Sequence, residues 1–146
     1  MGMKLILAIV ALIGLALFAP FLCYQGGNTK EMAKRTATVA NALVLTRAFI
    51  LYVPDSQGRV PADMRTAADL KHALGQHVDP HNFDTHNPSG GEFIPNADIA
   101  GKSLADLGKP ESVIVLMESK PWPDGKKAIG FADGHVKRHG ESTALQ

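Results

Sequence analysis

The chain has 146 residues and a formal net charge of +1, which leaves room for about one domain and provides no strong field to attract nucleic acid or an acidic substrate. Only 6% of the residues are aromatic, too few for the stacking platforms that single-stranded nucleic acid needs. The single cysteine, Cys23, excludes an internal disulfide framework.

Residues 5–24, LILAIVALIGLALFAPFLCY, carry no charge. Roughly twenty helical residues at 1.5 Å each span the ~30 Å hydrocarbon core of a bilayer, so residues 1–27 are expected to form a transmembrane anchor. Lys4 and the apolar run also fit the start of a signal peptide. However, Ala19 is followed by Pro20 and no clean small-x-small site appears before Gly26, so an uncleaved anchor is the expectation. Cys23 follows Pro20, Phe21 and Leu22, which is no lipoprotein site, and it reads as a small residue facing lipid. Ile6 stands where a myristoylation signal wants Ser or Thr. Lys4 precedes the span while Lys30, Lys34 and Arg35 follow it, so the positive-inside rule leaves the orientation open.

The remainder, residues 28–140, is expected to form one globular domain. Gly26-Gly27 loosens the chain, Asn28 with Glu31 makes a capping-box pattern, and a long helix is expected over 29–53. Met32, Thr36, Val39, Leu43, Thr46 and Ile50 recur at spacings of three and four, and Ala40, Ala48 and Leu51 widen them into an expected core-facing stripe. Pro54 to Gly58 ends the helix in a turn. Thr66 caps a short helix over 66–75, with Asp69 at the capping-box position and Gly75 as the stop. Residues 76–112, rich in Pro, Gly, Asn and Asp, read as a long loop region. Val113–Met117 reads as a buried strand. Lys127–Phe131 and His135–Arg138 form a hairpin through Ala132-Asp133-Gly134, giving a C-terminal sheet over 113–139. Residues 141–146 are expected to fray. The fold class is therefore α+β, a long helix packed on a small antiparallel sheet of about three strands.

The stretch Tyr52-Val53-Pro54-Asp55-Ser56-Gln57-Gly58-Arg59-Val60-Pro61 resembles the end of the long helix in type II secretion pseudopilin-like proteins. Asn96, Gly101-Lys102-Ser103-Leu104, Pro110-Glu111-Ser112, Glu118 and Gly130-Phe131-Ala132-Asp133-Gly134-His135-Val136-Lys137 resemble the branch of prepilin-like proteins with a terminal H-X9-DG domain. The resemblance covers most of the chain. It implies a pilin-like fold and a non-enzymatic structural subunit of a type II secretion or type IV pilus-like filament. Such a subunit sits in the bacterial inner membrane by a single pass, with its C-terminal domain extracytoplasmic. Its implied partners are the membrane, assembly machinery and other pilin-like subunits, in a homo-oligomer or mixed filament. Two departures stand out. Family members carry a glutamate at the fifth position of the apolar helix, whereas nothing acidic precedes Glu31 here. The histidine that names the terminal domain is replaced by the Trp122-Pro123-Asp124 region. The missing carboxylate favours an alternative, a single-pass protein displaying a small extracytoplasmic binding domain without filament assembly.

Candidate residues follow. Leu5, Ala8, Ala11, Gly14, Ala16 and Pro20 would mediate packing of the membrane helix, the small ones permitting close approach. Tyr52, Asp55, Gly58, Pro61, Glu118, Phe131, Asp133, Gly134 and His135 carry the structural motifs. Asp133-Gly134-His135 is read as a hairpin tip and not as a catalytic pair, since no Ser or Cys motif supplies a nucleophile. No cofactor is expected. The nearest thing to a metal cluster is His77, Asp79, His81, Asp84 and His86, whose spacing matches no established zinc pattern. Asp79, Asp84, Asp98 and Asp133 are the oxygen ligands a Ca²⁺ site of the kind found in some major pseudopilins would use.

Overall fold

The computed structural model describes residues 29–55 and 57–140. The expected anchor over 1–27 with its packing residues Leu5, Ala8, Ala11, Gly14, Ala16 and Pro20, the Asn28 cap, and the tail 141–146 lie outside the described residues. Among the described residues no helix is long and apolar enough to cross a membrane. Contacts divide the chain into two units, Met1–Lys34 and Arg35–Gln146, and every element after the first helix lies in the second.

Helix α1 covers residues 29–52, and Val53 N–H still donates to the Phe49 carbonyl at 3.0 Å. Its core side is Thr38, Ala42, Leu45, Thr46, Ala48, Phe49 and Val53, all buried. This corrects the expected stripe. Thr46 and Ala48 do face the core, but Met32, Thr36, Ala40 and Leu51 are exposed, and Val39, Leu43 and Ile50 lie half-buried along one flank. Apolar residues surround most of α1, so spacing alone does not single out the core face. The small side chains of Ala42 and Thr46 let the helix lie close on the sheet. Helix α2, Ala67–Leu74, has the complete capping box: Asp69 N–H donates to the Thr66 hydroxyl and the Asp69 carboxylate accepts from Thr66 N–H. Its inner side, Ala67, Leu70 and Leu74, enters the core.

The sheet has four strands and not about three. β1 (Phe93–Pro95), β2 (Ile114–Glu118), β3 (Lys126–Phe131) and β4 (Val136–Gly140) are antiparallel in the order β1-β2-β3-β4. The added strand β1 lies inside the stretch read as loop. It pairs Phe93 with Glu118, Ile94 with Met117 and Pro95 with Leu116. A proline, which has no N–H, is tolerated in a sheet at an edge, and β1 is an edge. The rest of 76–112 is not featureless either, for single 3₁₀ turns form at Pro80–Phe83, Ala97–Ile99, Leu104–Asp106 and Pro110–Ser112.

A register shift between Ile114 and Leu116 marks a bulge in β2. The extra residue lets both Val115 and Leu116 join the core with Phe93 and Ala128. Opposite them Gly130 receives α1. A Cβ built there would stand 1.9 Å from Thr46 Oγ1 and 3.0 Å from Thr46 Cβ. Only a glycine permits that approach. Each fully buried Leu or Phe contributes about 1.5–3 kcal/mol, and Leu45, Phe49, Leu70, Leu74, Phe93 and Leu116 hold α1 and α2 against the sheet.

Candidate functional site

The motif after α1 forms a clasp. Asp55 Oδ1 accepts from Gln57 N–H at 2.8 Å and from Arg59 N–H at 2.9 Å, and Gly58 N–H donates to the Asp55 carbonyl at 2.9 Å. Gly58 has φ 72°, a left-handed position that glycine takes without strain. Hydrogen bonds from the Arg59 and then the Gln57 backbone hold the Asp55 carboxyl below its ordinary value of 3.8. The clasp then grips the second motif. Val60 N–H donates to Lys102 O, Gly101 N–H to Val60 O and Leu104 N–H to Gly58 O, and Arg59 bridges Ser103 antiparallel. Pro61 accepts from Met64 N–H. The stretches 52–61 and 101–104, distant in sequence, are thus one backbone joint.

Asn96 works on the bulge. Its N–H donates to Val115 O at 2.9 Å and its Nδ2 to Ile114 O at 3.0 Å, while its Oδ1 caps the turn by accepting from Asp98 N–H. The 3₁₀ turn Pro110-Glu111-Ser112 leads straight into β2, with Val113 N–H bonded to Pro110 O.

Glu118, 1% exposed, points inward at the end of β2. Its Oε1 accepts from Trp122 Nε1 at 2.9 Å and its Oε2 from Ala128 N–H at 2.6 Å. Burial raises its carboxyl above the ordinary 4.5, outweighing these two donors and the nearby Arg138 and Asn87. Two guanidiniums lie over the Trp122 ring, Arg35 at 5.5 Å and Arg138 at 5.8 Å from its centroid. Both reach Asp124: Arg35 Nη1 at 2.8 Å, and Arg138 Nη2 at 3.1 Å from each oxygen. Partial burial alone would raise Asp124, but the Lys126 N–H and the two guanidiniums hold it below 3.8. Glu118, Trp122, Arg35, Arg138 and Asp124 therefore tie α1, β4 and the β2–β3 turn together.

No family model, curated protein or solved structure matches this chain.

At the β3–β4 tip, Gly134 N–H donates to Phe131 O and Phe131 N–H to His135 O, and Gly134 has φ 88°. This is a three-residue hairpin loop closed by a left-handed glycine. Asp133 accepts from His135 N–H and pairs with His135 Nδ1, whose ring stacks on Phe131 at 4.3 Å. The His135 N–H holds the Asp133 carboxyl below 3.8.

The histidine-rich stretch is not gathered around a point. His77 stacks on Tyr52 with ring centroids 4.0 Å apart. Asp79 caps the following turn by accepting from His81 N–H, His81 faces Asp84 at 3.7 Å, and His86 occupies a left-handed turn position with φ 49°. Among the described residues no three His, Cys, Asp or Glu side chains could hold a metal together. Asn41 Nδ2 donates to the carbonyls of His81 and Asp84 at 3.2 and 2.9 Å, so α1 holds this stretch through its backbone.

Sequence reasoning passed over Trp122, Arg35, Arg138, Asp124 and Asn41. A lone tryptophan between Pro121 and Pro123 beside a strand ending in Glu118 was the available signal. An indole N–H that is buried seeks an acceptor.

Proposed function

We propose that this chain is a structural, pseudopilin-like subunit of a type II secretion or type IV pilus-like filament system. Its N-terminal helix inserts in the bacterial inner membrane and its sheet domain lies outside the cytoplasm. The observation that carries this reading is that α1 is apolar on two sides. One side is spent on the sheet. The other leaves Val44 41% and Leu51 71% exposed, with Val39, Leu43 and Ile50 half-buried beside them. A helix serving only its own domain presents polar residues to water, whereas a helix that stacks on neighbouring subunits needs a second apolar side. The sequence motifs support the same reading, since each takes a structural role within an α+β domain.

Two experiments test it. Cysteines placed along residues 5–20 in a Cys23→Ser background should crosslink between neighbouring subunits, and their failure to do so defeats assembly through this helix. The N-terminal residue of the mature chain in its membrane should show loss of the segment ending at Gly2. An intact Met1 supports the second reading, a membrane-anchored display domain without a filament. The absence of any acidic residue before Glu31 favours that reading.

A further inference from the structure

The sheet has a second face, turned away from α1, that the proposed assembly does not use. Strand alternation and the β2 bulge direct Ile94, Ile114, Met117, Ile129 and Phe131 away from α1, and none of them joins the core cluster. Ile94, Met117 and Ile129 stand in register across β1, β2 and β3, and Lys137 continues the row on β4. An antiparallel sheet with one open face ordinarily alternates polar residues outward. Here every outward position of β1 and β2, and all but Lys127 on β3, is apolar.

The β4 border of this face carries Lys137 and two histidines. Lys137 Nζ lies 5.9 Å from the Phe131 ring centroid, with His135 stacked on that ring and His139 meeting its edge at 6.4 Å. Lys127 pairs across from His139 on the same face. Phe131 is buried beneath His135, His139 and Lys137, and Ile129 is buried two residues before it on the same strand, while Ile94, Ile114 and Met117 remain half-buried. No outward position of the four strands holds a carboxylate. Glu92, just before β1, is bonded to Lys71, and Asp133 at the tip is bonded to His135.

We propose that this face docks a protein segment carrying carboxylates beside apolar side chains. Ile94, Ile114 and Met117 supply the apolar contact and Lys137 the nearest counter-charge. Charge complementarity selects the occupant, because an apolar field whose outward strand positions hold lysines and no carboxylate disfavours a basic partner through like-charge repulsion. The proposal holds whether or not the chain enters a filament.

The test uses the full chain in nanodiscs of zwitterionic phosphatidylcholine, with Ile and Met methyl groups labelled for NMR. The probes are two synthetic peptides, one alternating Glu and Leu, the other Lys and Leu. The acidic peptide should shift the Ile94, Ile114 and Met117 methyls saturably while the core methyls of Met64 and Ile99 stay put. Binding should weaken as salt is raised. Lys137→Glu, at an exposed position, should weaken it about two- to fivefold and strengthen binding of the basic peptide. Absence of saturable shifts overturns the proposal, as does equal binding of both peptides by the unaltered chain. Shifts of the same methyls in phosphatidylglycerol nanodiscs without peptide overturn it in favour of a lipid-facing surface.

Discussion

The approach of α1 to the sheet at Gly130 can be tested by filling it. In Gly130→Ala the new methyl carbon falls 1.9 Å from Thr46 Oγ1 and 3.0 Å from both Cβ and Cγ2 of the same residue. Thr46 is fully buried and its hydroxyl donates to Ala42 O at 2.6 Å, so it has little freedom to turn aside. Overpacking of this kind costs about 1–3 kcal/mol, and the depth of the overlap places Gly130→Ala at about 3. Alanine's lower unfolded-state entropy offsets about 0.5–1 kcal/mol of that. A net loss of about 2–2.5 kcal/mol lowers the melting temperature by roughly 8–10 °C for a domain of this size. Trp122 is the single tryptophan and is buried, so its fluorescence reports unfolding directly. Thr46→Ala removes the hydroxyl and the methyl that clash. It should cost about 1 kcal/mol alone, yet the double variant should be at least about 1 kcal/mol more stable than the sum of the two. Additivity of the pair within about 0.5 kcal/mol would falsify the close contact between α1 and β3.

The remaining predictions concern the polar groups. Glu118→Gln turns one of two acceptors into a donor facing Trp122 Nε1 or Ala128 N–H. It should cost about 1–3 kcal/mol and shift Trp122 emission, and an unchanged midpoint means that Glu118 is not the buried acceptor described. Asp124→Asn weakens the bonds to Arg35 and Arg138, so backbone amides near Arg35 and Arg138 should exchange faster while those at Leu45 and Phe49 do not. Stability should peak in mildly acid solution. The raised Glu118 favours folding as pH falls through its folded value toward 4.5, whereas Asp55, Asp69, Asp124 and Asp133, all held below 3.8, lose their stabilising effect as pH falls further. Urea midpoints across that range measure it, and a monotonic rise with pH through 4.5 and above removes the Glu118 part of the explanation. Calorimetric titration with Zn²⁺ and Ca²⁺ should give no saturable heat that His81→Ala or Asp84→Ala abolishes, because no third ligand joins this pair among the described residues.

What was legible in the sequence was local. The Thr66–Asp69 capping box and the Asp133-Gly134 hairpin tip are complete within a few residues, so their chemistry is visible without knowing the neighbours. β1 was not legible, because three residues ending in proline become a strand only when β2 lies beside them. The core face of α1 was misphased for a related reason. Val39, Leu43 and Ile50 are as apolar as Leu45 and Phe49, and the choice between them is made by Gly130 and the sheet. The Asp124 cluster joins Arg35 on α1 to Arg138 on β4, and no short window of sequence contains both. In the histidine-rich stretch, proximity along the chain did not become a three-ligand cluster in space among the described residues.

The joint between Val60 and Lys102 closes a loop of about forty residues, and closing a loop twice as long would cost only about 0.6 kcal/mol more. Within it, α2 is committed to the core, but Pro88, Ser89 and Gly90 are exposed and leave from and return to fixed points at Asn87 and Gly91. New sequence spliced into that tip would sit on a frame whose two ends are already stapled. The domain is therefore built as an exchangeable mount, in which the part most open to replacement is the part that the helix, the clasp and the sheet do not need.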